Sequence, residues 1–138
     1  MSNCFEFDLL AIQPSQLYIS KKKLAAVQEK INPKNINSIG IIPIKKLDDD
    51  IIFSDGHTRA FAAYLAGYRT ILCEMETEEL DWEMYKECVK WCKEERIFSI
   101  ADFKTRIISH QDYEQLWYKR CEIMQNEIIA KREKLKEK

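Results

Sequence analysis

The first half of the chain alternates short apolar runs with polar turns. Phe5 to Ile12 predicts a first strand. Gln13-Pro14-Ser15 ends it, because proline lacks the N–H a ladder needs. A helix is expected next, capped by Ser20, with Leu24, Val27 and Ile31 at helical spacing and Asn32-Pro33 as its stop. Asn35 to Gly40 is a polar connection. Ile41-Ile42-Pro43-Ile44 opens a second strand running to about Leu47, and Pro43 suggests an edge or a bulge. Asp48-Asp49-Asp50 is a turn, and Ile51-Ile52-Phe53 completes a hairpin.

Ser54-Asp55-Gly56-His57-Thr58-Arg59 then separates this strand from Ala60 to Ala66, a strong helix former, with Gly67 as its C-terminal cap. Thr70 to Cys73 predicts a further strand. From Leu80 the period becomes helical. Trp82, Tyr85, Val89 and Cys92 share a face up to about Glu95, and Ser99 can cap a shorter helix through Ile107. Ser109 can cap a last long helix that buries Tyr113, Leu116, Trp117, Met124 and Ile128. Its charged end, Lys131 to Lys138, is expected to fray. The fold class expected is α+β, as a mixed sheet-and-helix unit over residues 1–78 and a helical extension over 79–138 packed on it.

Composition narrows the function. The chain has 138 residues, a hydrophobic share of 46% and 22 basic against 23 acidic residues, so the net charge is -1. A packed core is expected. A reader of many DNA phosphates usually carries a basic excess, so DNA is a possible but not a favoured partner. No apolar run approaches the length that spans a bilayer, and no signal peptide is recognised. Cys4, Cys73, Cys88, Cys92 and Cys121 form an odd set without CxxC spacing, which points to free thiols in a reducing cytoplasm. Cys88, Cys92, Cys121 and His110 could in principle hold zinc, but buried, reduced core cysteines are the preferred reading.

The candidate chemistry lies in the 54–59 turn. Where a strand runs into a helix, the first N–H groups lack intrahelical partners and the helix dipole adds positive character, so a phosphate fits. Gly56 permits a close backbone approach. Arg59 could grip phosphate oxygens, and Thr58 could add a hydroxyl. His57 could donate to a phosphate or exchange a proton, or be an ordinary exposed residue. Asp55 could simply cap the helix, accept a proton or hold a divalent cation. Arg59 could equally form a surface ion pair of little consequence.

The order and spacing of these elements over roughly residues 6 to 75 resemble the ParB N-terminal and sulfiredoxin superfamily. The resemblance rests on Ile41-Ile42-Pro43-Ile44, the hairpin, Asp55 to Ala60, Ala62-Ala63 and Leu65-Ala66-Gly67. In ParB proteins the turn reads Gly-Glu-Arg-Arg and holds the triphosphate of CTP; Gly56 and Arg59 match its ends. In sulfiredoxins it reads Gly-Cys-His-Arg, with His57 standing here in place of the nucleophilic cysteine. In free serine kinases it reads Asp-Gly-His-His-Arg, matched by Asp55, Gly56, His57 and Arg59, with Thr58 replacing the second histidine.

The resemblance implies a nucleotide or phosphorylated small molecule as ligand: ATP, ADP or CTP with Mg2+. Gly56, His57, Thr58 and Arg59 would bind it. Asp55 and His57 would carry any catalysis, as a phosphotransferase. Those kinases place a general-base glutamate after a proline in the first turn, where this chain has Pro14-Ser15-Gln16. Gln16 cannot take a proton as a carboxylate does, so Asp55 would have to serve as the base, or the activity would be absent. The alternative implied is a non-catalytic ParB-like regulator of a chromosome, plasmid or phage.

Overall fold

The computed structural model describes residues 3–137 and is α+β. A four-stranded mixed sheet is built from β1 (Phe5–Asp8), β3 (Ile42–Leu47), β4 (Asp50–Phe53) and β5 (Thr70–Met75), in the order β1-β5-β3-β4. β3 and β4 form the expected antiparallel hairpin. β5 returns parallel to β3 and pairs antiparallel with β1 on its far side. A small parallel pair joins β2 (Ile19–Ser20) to β6 (Ile107–Ile108).

Several sequence expectations are corrected here. The first strand stops at Asp8 rather than Ile12, because the Asp8 carboxylate accepts the Leu10 N–H at 3.0 Å and turns the chain into a 3-10 helix, Leu9–Ala11. Pro43 lies in an interior strand, not at an edge. Its carbonyl accepts the Ser54 N–H on the β4 side. A strand residue directs its N–H and C=O to the same side. The missing donor therefore falls just beyond Phe53, the last residue of β4, and costs no ladder bond. The segment after Ser99 is a 3-10 helix, Ile100–Thr105, and Ile107 belongs to β6 rather than to a helix.

Three α-helices frame the sheet: α1 (Lys21–Gln28), α2 (His57–Leu65) and α3 (Trp82–Glu94). Ser20 caps α1 by accepting the Lys23 N–H at 3.3 Å. α1 ends before Ile31, which leaves that residue in the following turn. Gly67, at φ +97, closes α2, and the Tyr68 N–H bonds back to the Ala63 carbonyl.

A continuous C-terminal helical rod follows Ser109. It comprises α4 (His110–Tyr113), a π turn (Glu114–Tyr118) and α5 (Lys119–Lys136). Tyr113, Trp117, Met124 and Ile128 are buried as expected, but Leu116 is exposed. The π turn winds more residues per turn. It carries the buried stripe from Tyr113 to Trp117 and leaves Leu116 to one side. The rod stays helical to Lys136 instead of fraying, anchored where Arg132 donates to both oxygens of Asp81 at 2.9 Å and to Glu83 at 3.0 Å. Lys138, the end of that tail, lies outside the described residues.

One hydrophobic cluster joins sheet residues such as Ile42, Phe53 and Ile71 to Phe61 and Ala63 of α2 and to Phe103, Tyr113 and Trp117 of the C-terminal half. A second, smaller cluster packs Val89 of α3 on Leu47 and Ile52 of the hairpin. Among the described residues no helix is long and apolar enough to cross a membrane.

Candidate functional site

The 54–59 turn leads directly from β4 into α2. Gly56 takes the N-cap position in the left-handed region, φ 82 and ψ 19. No side chain caps the helix. Asp55, read as a possible cap, instead accepts the Gly56 N–H at 2.8 Å. The first intrahelical bond runs from the Ala60 N–H to the Gly56 carbonyl. The N–H groups of His57, Thr58 and Arg59 therefore precede the helical ladder. By contrast, Ser20 caps α1 and Asp81 caps α3 through their side chains.

Arg59 lies beside this terminus, in a slot made by two left-handed glycines. A Cβ on Gly40 would sit 3.0 Å from Arg59 Nη1, and one on Gly56 would sit 3.2 Å from Nη2. Nη1 donates to the carbonyls of Ile39 and Ile41, both at 3.3 Å. The guanidinium thus ties α2 to the chain entering β3. Thr58 is half-buried and Asp55 is exposed.

The His57 side chain turns inward. It is only 5% exposed, with its ring against Phe53 and Phe103. Its Nε2 accepts the Ser15 backbone N–H at 2.9 Å. Burial pushes its pKa down to about 3, against a smaller upward pull from Asp55, so the ring is neutral near pH 7. The imidazole therefore holds the Ser15 loop, and only the His57 backbone faces the start of α2. Ser15 is fixed further by its hydroxyl, which donates to the Phe53 carbonyl at 2.8 Å. Gln13 pins the same loop, pairing with β4 through its backbone and donating from its side chain to the Ile97 carbonyl at 2.8 Å.

Gln16, which the resemblance would set where a general base is expected, is not brought to the turn by its side chain. Its amide donates to the Tyr18 carbonyl at 2.8 Å and to the Tyr113 hydroxyl at 3.3 Å. Ser15 and Tyr85 also contact the turn segment without having been singled out for it. Ser15 does so through His57. Tyr85 does so through its hydroxyl, which donates to the Ser54 carbonyl at 3.0 Å. Helical periodicity identified Tyr85 as a core-facing residue but carries no signal for a partner 31 positions away. Burial, followed by the charge of Asp55, raises the Tyr85 pKa and keeps this donor protonated.

A cleft of about 210 Å³ opens beside the turn, between α3 and α5, with Ser15, Ser54, Tyr85 and Trp117 on its walls. A wider groove of about 580 Å³ lies away from the turn, at the hairpin loop. There the carboxylates of Asp48 and Asp50 face lysines, with Lys93 Nζ 2.6 Å from Asp50. Among the described residues, no three His, Cys, Asp or Glu side chains are grouped to hold a metal ion.

No protein-family model matches the chain, and no curated protein matches it. A solved structure, that of protein Atu1540 from Agrobacterium tumefaciens, is similar with a TM-score of 0.42 at 12% identity, over 70% of this chain. The chain covers 50% of that protein's length. A likeness of that degree carries no functional argument.

Proposed function

We propose that this chain is a ParB/sulfiredoxin-type domain that binds the phosphate of a nucleotide or phosphorylated small molecule at the start of α2. The observation that supports it best is the uncapped terminus itself: a left-handed glycine with no side chain, followed by three N–H groups outside the helical ladder. An anion there gains hydrogen bonds and the favourable end of the helix dipole.

The backbone N–H groups of His57, Thr58 and Arg59 would cradle the phosphate, with the Thr58 hydroxyl as a further donor. Arg59 Nη1 is occupied by two carbonyls, which leaves Nη2 and Nε for phosphate oxygens. His57 serves through its backbone, while its neutral ring keeps the Ser15 loop in place. Asp55, the exposed carboxylate of the turn, would carry Mg2+ for a triphosphate such as ATP or CTP, or take the proton of an acceptor hydroxyl in phosphoryl transfer.

Thermal unfolding in the presence of Mg2+ with ATP, ADP, CTP or GTP tests the reading. At about 100 times its dissociation constant, a ligand of the folded state adds about 2.7 kcal/mol of stability. At least one nucleotide should raise the midpoint by several degrees, and Arg59→Ala should remove the shift. If none raises it, the nucleotide reading fails. Incubation with ATP or ADP and free serine, followed by product analysis, then separates binding from transfer.

A further inference from the structure

Met84 and Cys88 stand four residues apart on α3, and Cys121 and Met124 stand three apart on α5, so each pair shares a helical face. The two helices pack together, and all four residues line the same 210 Å³ cleft. Cys88 of α3 and Cys121 of α5 line that cleft together, and neither thiol is in a disulfide. Their environment differs from that of the neighbouring Cys92, which gives its S–H to the Gln16 carbonyl at 3.3 Å.

We infer that this cleft is a site for a soft monovalent metal ion, Cu(I), held by the thiolates of Cys88 and Cys121 with Met84 and Met124 as auxiliary sulfur donors. Thiolate and thioether ligands select soft ions. Among the described residues, the only carboxylate on the cleft wall is Asp81, which already accepts two bonds from Arg132. The Ser15, Ser54 and Tyr85 hydroxyls on the wall already donate to backbone carbonyls, so a hard cation would find no second carboxylate to replace its water. Zn(II) favours four nitrogen, sulfur or oxygen ligands, and among the described residues no group of three suitable side chains exists.

Binding replaces two S–H bonds by two Cu–S bonds. Both protons leave to solvent, and the copper enters and stays as Cu(I). The site goes beyond the phosphate-binding reading and stands without it.

Anaerobic titration of the reduced chain with Cu(I), in competition with a chromogenic Cu(I) chelator, tests the site. The chain should withdraw about one equivalent and develop the ultraviolet thiolate-to-copper band. C88S and C121S should each abolish this, with C88A as a second variant if C88S does not fold by circular dichroism. M84L with M124L should weaken binding by about tenfold. C4S and C73S should leave it unchanged. Failure to withdraw Cu(I), survival of binding in either Cys88 or Cys121 variant, or displacement by an equal concentration of Zn(II) would overturn the inference.

Discussion

The backbone N–H of Ser15 donates to Nε2 of His57 at 2.9 Å, across 42 residues of sequence. That bond requires a lone pair on Nε2, so the ring is neutral and carries its proton on Nδ1. It also makes stability depend on pH. The folded-state pKa lies near 3, below the ordinary 6.5, so between these values the unfolded chain binds a proton that the folded chain does not. Stability is full above about pH 6.5 and falls as the pH drops towards 3, by up to about 1.4 kcal/mol per pH unit. His57→Gln can keep an acceptor for Ser15 but does not titrate. Urea unfolding at pH about 7.5 and about 5.5 should show a smaller loss in the variant than in the parent chain. Equal losses would contradict the assignment.

Gly56→Ala should destabilise the chain. The residue sits at φ +82, and an added Cβ would lie 3.1 Å from Ile42 Cγ2 and 3.2 Å from Arg59 Nη2. The backbone strain alone costs about 1–2 kcal/mol. Gly67→Ala is the matched control: its φ is +97, but nothing lies within 4 Å of the new methyl. Both variants should lower the unfolding midpoint, and only Gly56→Ala should also weaken nucleotide binding. A phosphate site indifferent to Gly56→Ala would not be at this turn.

Arg59→Lys separates charge from shape. Lysine keeps the positive charge but cannot reproduce a planar fork spanning two carbonyls and a phosphate. Loss of the bonds to Ile39 and Ile41 should cost about 1 kcal/mol in denaturant unfolding. Nucleotide affinity should fall by about tenfold or more. Tyr85→Phe provides the complement, releasing the Ser54 carbonyl at a similar cost of about 1 kcal/mol while leaving Arg59 in place.

Arg132→Ala should loosen the end of α5. Hydrogen exchange should speed up over the last helical turns, because the bonds from Arg132 to Asp81 and Glu83 hold that end to the start of α3. Exchange in the sheet should stay as it was. Unchanged protection near Lys131 would mean that buried side chains such as Met124 and Ile128, and not these bonds, anchor the helix.

The parts of the fold legible in the sequence were those with a local signal. Ser20 and Ser109 announce helix starts, Gly67 a helix end, and the Ile44–Phe53 hairpin follows from two apolar runs around an acidic turn. The misread parts depend on distant partners. The C-terminal rod persists because Arg132 meets Asp81, 51 positions away, and Ile107 extends because Ile19 lies beside it. The turn shows the same division. Gly56 and Arg59 stand out by residue type and spacing. The inward rotation of His57 depends on Ser15, Phe53 and Phe103, whose convergence no short-range pattern records.

Amide chemical-shift mapping tests the central claim most directly. Labelled protein is titrated with the Mg2+–nucleotide that most raises the thermal midpoint. The backbone amides of Gly56, His57, Thr58 and Arg59 should move first and saturate together, with little change at the hairpin loop of Asp48 and Asp49. Saturable shifts that leave those four amides unmoved, or that gather at the hairpin loop, would place the ligand elsewhere and contradict the account.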